Sequence, residues 1–95
     1  MKATLCASAM LTLLLAAGTQ AALQGDAAQG KRLHDTHCMG CHDAAVYTRK
    51  DRVVRSLDEL REQLEGCSHM ARKEFSPTEM QDIIKYLNER FYRFP

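Results

Sequence analysis

The sequence predicts a small all-α domain. Three observations carry that expectation. Ser56 and Ser76 each precede a Glu by three residues, the pattern of a capped helix start. Behind both, apolar residues recur at steps of three and four. Nowhere does the chain alternate as a strand would. Its 95 residues allow one domain at most, and the first 21 are expected to lie outside it. Met1-Lys2 gives a positive start, Leu11 to Ala17 is nearly all aliphatic, and Thr19-Gln20-Ala21 offers small residues where a signal peptidase reads. That is the layout of a secretory signal peptide cleaved after Ala21, leaving a domain over 22–95. The aliphatic run is well short of the ~20 residues a membrane span requires. Cys6 precedes that run instead of following it, which argues against a lipid anchor.

The helices are expected in this order. The first runs from Asp26 to Cys38, with Asp26 as its cap and mostly good helix formers behind it. Gly30 within it costs about 1 kcal/mol against Ala, which points to a close approach there. Residues 43 to 55 are polar and weakly patterned and read as a loop with one short turn. Ser56 opens a second helix whose Leu57, Leu60 and Leu64 form one face, and Gly66 is expected to stop it. A loop from Cys67 to Phe75 follows. The last helix is the clearest: Ser76-Pro77-Thr78-Glu79 combines a cap, Pro at the first helical position and a capping-box Glu. Met80, Ile83, Ile84, Leu87 and Phe91 then make its apolar face.

Composition narrows the function. Removing 21 residues leaves 74, a size at which a core is marginal without a metal, disulfides or a cofactor. There is no Trp, and a large flat apolar cofactor would fill a core of this kind. Lys2 is the only charge lost with the leader, so 12 basic residues face 12 acidic ones. A general nucleic-acid binder would show a basic surplus, and this chain has none.

Cys6 leaves with the leader, so Cys38, Cys41 and Cys67 remain, an odd number that does not suit a disulfide framework. Cys38-Met39-Gly40-Cys41-His42 accounts for two of them. Each thiol can add to one vinyl group of a porphyrin. Two intervening residues give the sulfurs the spacing of the vinyls, and the adjacent His42 can coordinate the iron. A thioredoxin-like redox pair would open a helix after a strand, and no strand pattern precedes Cys38. A four-ligand zinc site would need a second pair, for which only Cys67 with His69 presents itself. One covalent haem c is the expected cofactor.

With these residues laid out, the chain resembles the class I cytochromes c over nearly all of 22–95. Gly30-Lys31-Arg32-Leu33 stands eight residues before Cys38 and matches the family's first-helix pattern, which leads into C-x-x-C-H. The resemblance implies a helical fold around one haem, with the last helix packing on Gly30, at Tyr86, and a Met ligand in the loop before that helix. There are departures. His34 stands where the family has an aromatic, no Pro lies between His42 and Ser76 to orient the proximal His, and the section after His42 is short.

The register of the family makes Met70 the expected second axial ligand, six residues before Ser76. His69 is the alternative and would lower the potential. Met80 is in step with the apolar face and reads as core. His34 and His37 read as surface or packing residues. Cys67 is open to three readings: a buried apolar residue, a disulfide between two copies, or a thiolate ligand. The resemblance implies a periplasmic electron carrier and not an enzyme. Arg49, Lys50, Arg52, Arg55, Arg72 and Lys73 would form a basic rim for a transient acidic redox partner. Two rivals share the haem: a gas or ligand sensor with a displaceable sixth ligand, and a haem subunit docked to a larger oxidoreductase through the aromatic tail Phe91 to Pro95, which could equally fold back onto the first helix.

Overall fold

Asp26 begins the folded chain by capping a helix with its carboxylate. Its Oδ1 accepts from the N–H groups of Ala28 (2.9 Å) and Gln29 (3.2 Å), a contribution of about 1 kcal/mol. The computed structural model describes residues 23–40 and 42–95; the expected leader, within 1–22, and Cys41 lie outside the described residues. Within them the chain is helical and without strands: α1 (Ala27–His37), α2 (Ala45–Thr48), α3 (Leu57–Met70) and α4 (Pro77–Leu87), the last continuing as a π-helical turn, Asn88–Tyr92. Among the described residues no helix is long and apolar enough to cross a membrane.

The α1–α4 pair is the frame. At Gly30 an added Cβ would fall 1.9 Å from the Asp82 carbonyl oxygen, so the two backbones touch. The expected close approach is therefore real, but it falls at Asp82 and Ile83, about one turn earlier than Tyr86. Tyr86 meets instead the ring of His34, one turn further along α1, at 5.4 Å. The start of α1 is clasped as well. Asp82 is buried, and its Oδ1 accepts from the Asp26 N–H at 2.7 Å, while Lys85 Nζ donates to the Gly25 carbonyl at 3.3 Å. Gly25 sits at φ +121 against the backbone of Gln81, a conformation open to glycine.

α4 starts as its sequence demands. Ser76 Oγ accepts from the Glu79 N–H (3.1 Å), and Glu79 Oε1 accepts from the Ser76 N–H (2.9 Å). Ile83, Ile84 and Leu87 are buried against Leu60 and Leu64 of α3, with Tyr47, Val54 and Tyr92 completing the core. Met80 packs at its edge as a half-buried residue.

α3 departs from expectation at both ends. Ser56 Oγ caps Glu59 at 3.1 Å, but Glu59 Oε2 reaches past Ser56 to accept from the Arg55 N–H at 2.6 Å. Gly66 does not end the helix. It is exposed, an added Cβ would meet nothing within 4 Å, and its ~1 kcal/mol propensity cost is outweighed by the turns that continue past it. The helix ends four residues later, at Met70, in a Schellman arrangement. Lys73 N–H donates to the Ser68 carbonyl and Arg72 N–H to that of His69, both at 3.1 Å, with Arg72 in the left-handed region at φ 53. Met70, expected in a loop, is the last helical residue.

The C-terminal tail does not fold back onto α1. The π-helical turn brings Phe91 and Tyr92 against Tyr47 of α2, at 5.2 and 5.8 Å between ring centroids. Asn88 brackets Phe94 from both sides, its Oδ1 accepting from the Phe94 N–H (2.7 Å) and its Nδ2 donating to the Phe94 carbonyl (3.1 Å). Arg52 lies over Tyr92 and Phe94 at 5.1 and 5.5 Å, and its guanidinium donates to the Tyr47 carbonyl at 3.1 Å.

Candidate functional site

The end of α1, the start of α2 and the inner face of α3 line an open apolar cleft with a cavity of about 180 Å³. Cys38 and His42 line one wall with Tyr47; Leu60, Leu64 and Cys67 line the facing wall; Leu87 and Tyr92 close the back. A second cavity of about 100 Å³ shares Cys38, His42 and Cys67 with the first and adds Met70 and Phe75. The two cavities lie on either side of a shared wall of Cys38, His42 and Cys67.

Local structure explains why His42 faces it. Cys38 caps α1, its N–H donating to the His34 carbonyl at 2.8 Å. Asp43 Oδ1 accepts from the Ala45 N–H at 2.9 Å and starts α2. His42 stands between these two fixed points. Its Nδ1 lies 3.1 Å from the Asp43 carbonyl. A carbonyl only accepts, so Nδ1 carries the proton and Nε2 keeps its lone pair. A backbone carbonyl orienting the ligand imidazole in this way is the usual arrangement at metal-bound histidines. Asp43 thus supplies the carbonyl for which the sequence offered no Pro.

The donor set therefore fits a haem of the expected kind: a thiol, an imidazole with an open nitrogen, and apolar walls around them. Cys41, the second expected attachment point, lies outside the described residues. Met70 borders the second cavity from the end of α3 and is 87% exposed. His69, the alternative, lines a separate depression with Arg72 and Lys73 and does not reach the cleft. Cys67 is half-buried and turned into the cleft, with Gln63 Nε2 3.7 Å from its sulfur.

Two further residues shape the site: Tyr47, which the sequence reading missed, and His34, read as a surface or packing residue and here packed in the core. His34 is a core residue at 1% exposure. Its Nε2 lies 2.7 Å from the Tyr47 hydroxyl and its Nδ1 3.1 Å from Asp35 Oδ1. Tyr47 is buried among His34, His42, Phe91 and Tyr92, and burial pushes its phenol well above the ordinary value, so it stays protonated. The signal for His34 was available: it follows Gly30 by four residues and so shares the face that meets the last helix. Tyr47 gave no such signal, being in a stretch without periodicity.

The expected basic rim is thinner than the sequence suggested. Arg49, Lys50, Arg55 and Arg72 are exposed, whereas Arg52 is committed to the aromatic tail and Lys73 lies over Phe75 at 5.8 Å. Comparison with protein-family models, with curated proteins and with solved structures returned no match.

Proposed function

We propose that this chain is an exported carrier of single electrons, holding one haem through thioether bonds to Cys38 and Cys41, with His42 as an axial ligand. The observation that carries the reading is the meeting of Cys38 and His42 on one apolar cleft, with the imidazole Nδ1 committed to Asp43 and Nε2 open. When bound, the haem supplies reversible Fe(III)/Fe(II) cycling. The chain's own residues do the rest. Asp43 fixes the imidazole, Leu60, Leu64 and Leu87 exclude water from the cleft, and Met70 is the residue on the α3 side that would supply a thioether. Lys50, Arg55 and Arg72 remain for docking an acidic partner, Arg49 being paired with Asp51 at 3.5 Å.

The decisive experiment is the mass of the chain after expression with haem-attachment machinery. Denatured and extracted with acidified solvent, it should keep its pigment and weigh one haem more than the polypeptide. A bare-polypeptide mass would sink the proposal. Rates of reduction by a redox partner should fall with rising salt, and a flat response would remove the docking role.

The exposure of Met70 favours a second reading, a sensor with an easily displaced sixth ligand. Carbon monoxide binding separates them. In an electron carrier the reduced wild type resists CO and Met70→Ala admits it; in a sensor both bind it rapidly.

A further inference from the structure

α2 is one turn long, too short to hold itself in place, yet the segment leading into it carries His42. What ties this segment to the frame is Tyr47. Its hydroxyl meets His34 Nε2 at 2.7 Å inside the core. On the other side of the imidazole, the Asp35 carboxylate faces Nδ1 at 3.1 Å, and Lys31 holds Asp35 at 2.6 Å. Because the carboxylate accepts a hydrogen bond from Nδ1–H, Nε2 is the acceptor and the phenol donates to it. The Tyr47 ring then stands edge-on to His42, 5.4 Å between centroids at an interplanar angle of 87°. Phe91 and Tyr92 close its remaining sides.

We infer that Tyr47 is a positioning residue for His42: His34 anchors its hydroxyl, and its ring sets the plane in which the His42 imidazole presents Nε2. The inference rests on the haem reading. It assigns His34 a task that packing alone would not need. A Phe at position 34 would fill the space against Tyr86 as well, but would leave the Tyr47 hydroxyl without an acceptor.

The test uses the haem-loaded protein and compares wild type with Tyr47→Phe, His34→Phe and His34→Gln. The readouts are the haem methyl resonances of the ferric form by proton NMR, whose order and spread follow the plane of the axial imidazole, and the midpoint potential. Tyr47→Phe and His34→Phe should both reorder the methyl resonances and move the potential in the same direction. His34→Gln, which loses the ring but keeps a side-chain acceptor, should restore the wild-type pattern. A purely structural role predicts the reverse ranking, with His34→Phe benign and His34→Gln disruptive, and that result would overturn the inference. So would wild-type spectra from both Tyr47→Phe and His34→Phe. A wild-type chain that takes up no haem overturns both readings, whereas a loaded wild type with indifferent variants overturns this one alone.

Discussion

The α1–α4 frame and the α3 wall are both helical, but they are held in different ways. In the frame, backbone meets backbone at Gly30, both helix starts are capped by side chains, and the buried Asp82 carboxylate is satisfied by the Asp26 N–H. α3 touches α4 through Leu60 and Leu64 and turns the rest of its inner face to an open cleft. Its last turn ends on a non-glycine residue in the left-handed region. One region is closed by its own atoms. The other leaves an apolar cleft between its helix and the frame.

The largest effects should fall in the frame. Gly30→Ala places a methyl 1.9 Å from the Asp82 carbonyl oxygen. The helices must separate, and the loss should reach about 3 kcal/mol or more, far above the ~1 kcal/mol of helix propensity gained. Urea unfolding checks it, and a neutral result would mean the two backbones do not touch. Next comes a pair of truncations. Ile83→Ala removes a fully buried side chain and should cost about 4 kcal/mol, whereas Leu64→Ala on the cleft should cost about 2 kcal/mol in the chain without haem. Loading the cleft should close that gap, because Leu64 then has packing to lose. A gap unchanged by loading would break the contrast between the two regions.

A smaller effect sharpens it from the other side. Arg72→Gly relieves a left-handed residue at the end of α3, where strain of ~1–2 kcal/mol exceeds the extra freedom glycine gives the unfolded chain. A gain of about 0.5–1 kcal/mol should appear as a higher denaturation midpoint. Loss of stability would show that the Arg72 side chain holds the Schellman turn.

These two regions also mark what could be seen in the sequence. α1 and α4 were legible almost to the residue, because Asp26, Ser76, Pro77 and Glu79 act on backbone groups within three positions of themselves. Gly30 announced a contact, but its partner was misplaced by a turn, since crossing register depends on two helices together. Gly66 misled because glycine marks a helix end only when the backbone turns left-handed there, and that turn is taken at Arg72. For the candidate site, Cys38 and His42 could be singled out because they lie in one short local motif, and both line the cleft. Tyr47 could not be, because its pairing with His34 spans 13 residues and joins a one-turn helix to the frame.

The smallest expected effect lies in the frame and depends on pH. The backbone N–H of Ser76 holds the Glu79 carboxyl below its ordinary value of 4.5. Lower in the folded state than in the unfolded chain, this group contributes stability that is fully present above the unfolded value and is lost as pH falls through the folded one. Glu79→Gln keeps an oxygen for the Ser76 N–H but has no charge to lose. Wild type should therefore be slightly the more stable near neutrality, and the margin should shrink as pH drops below 4.5. A margin independent of pH would mean the charge adds nothing to the capping box, and the start of α4 would then rest on hydrogen bonding and Pro77 alone.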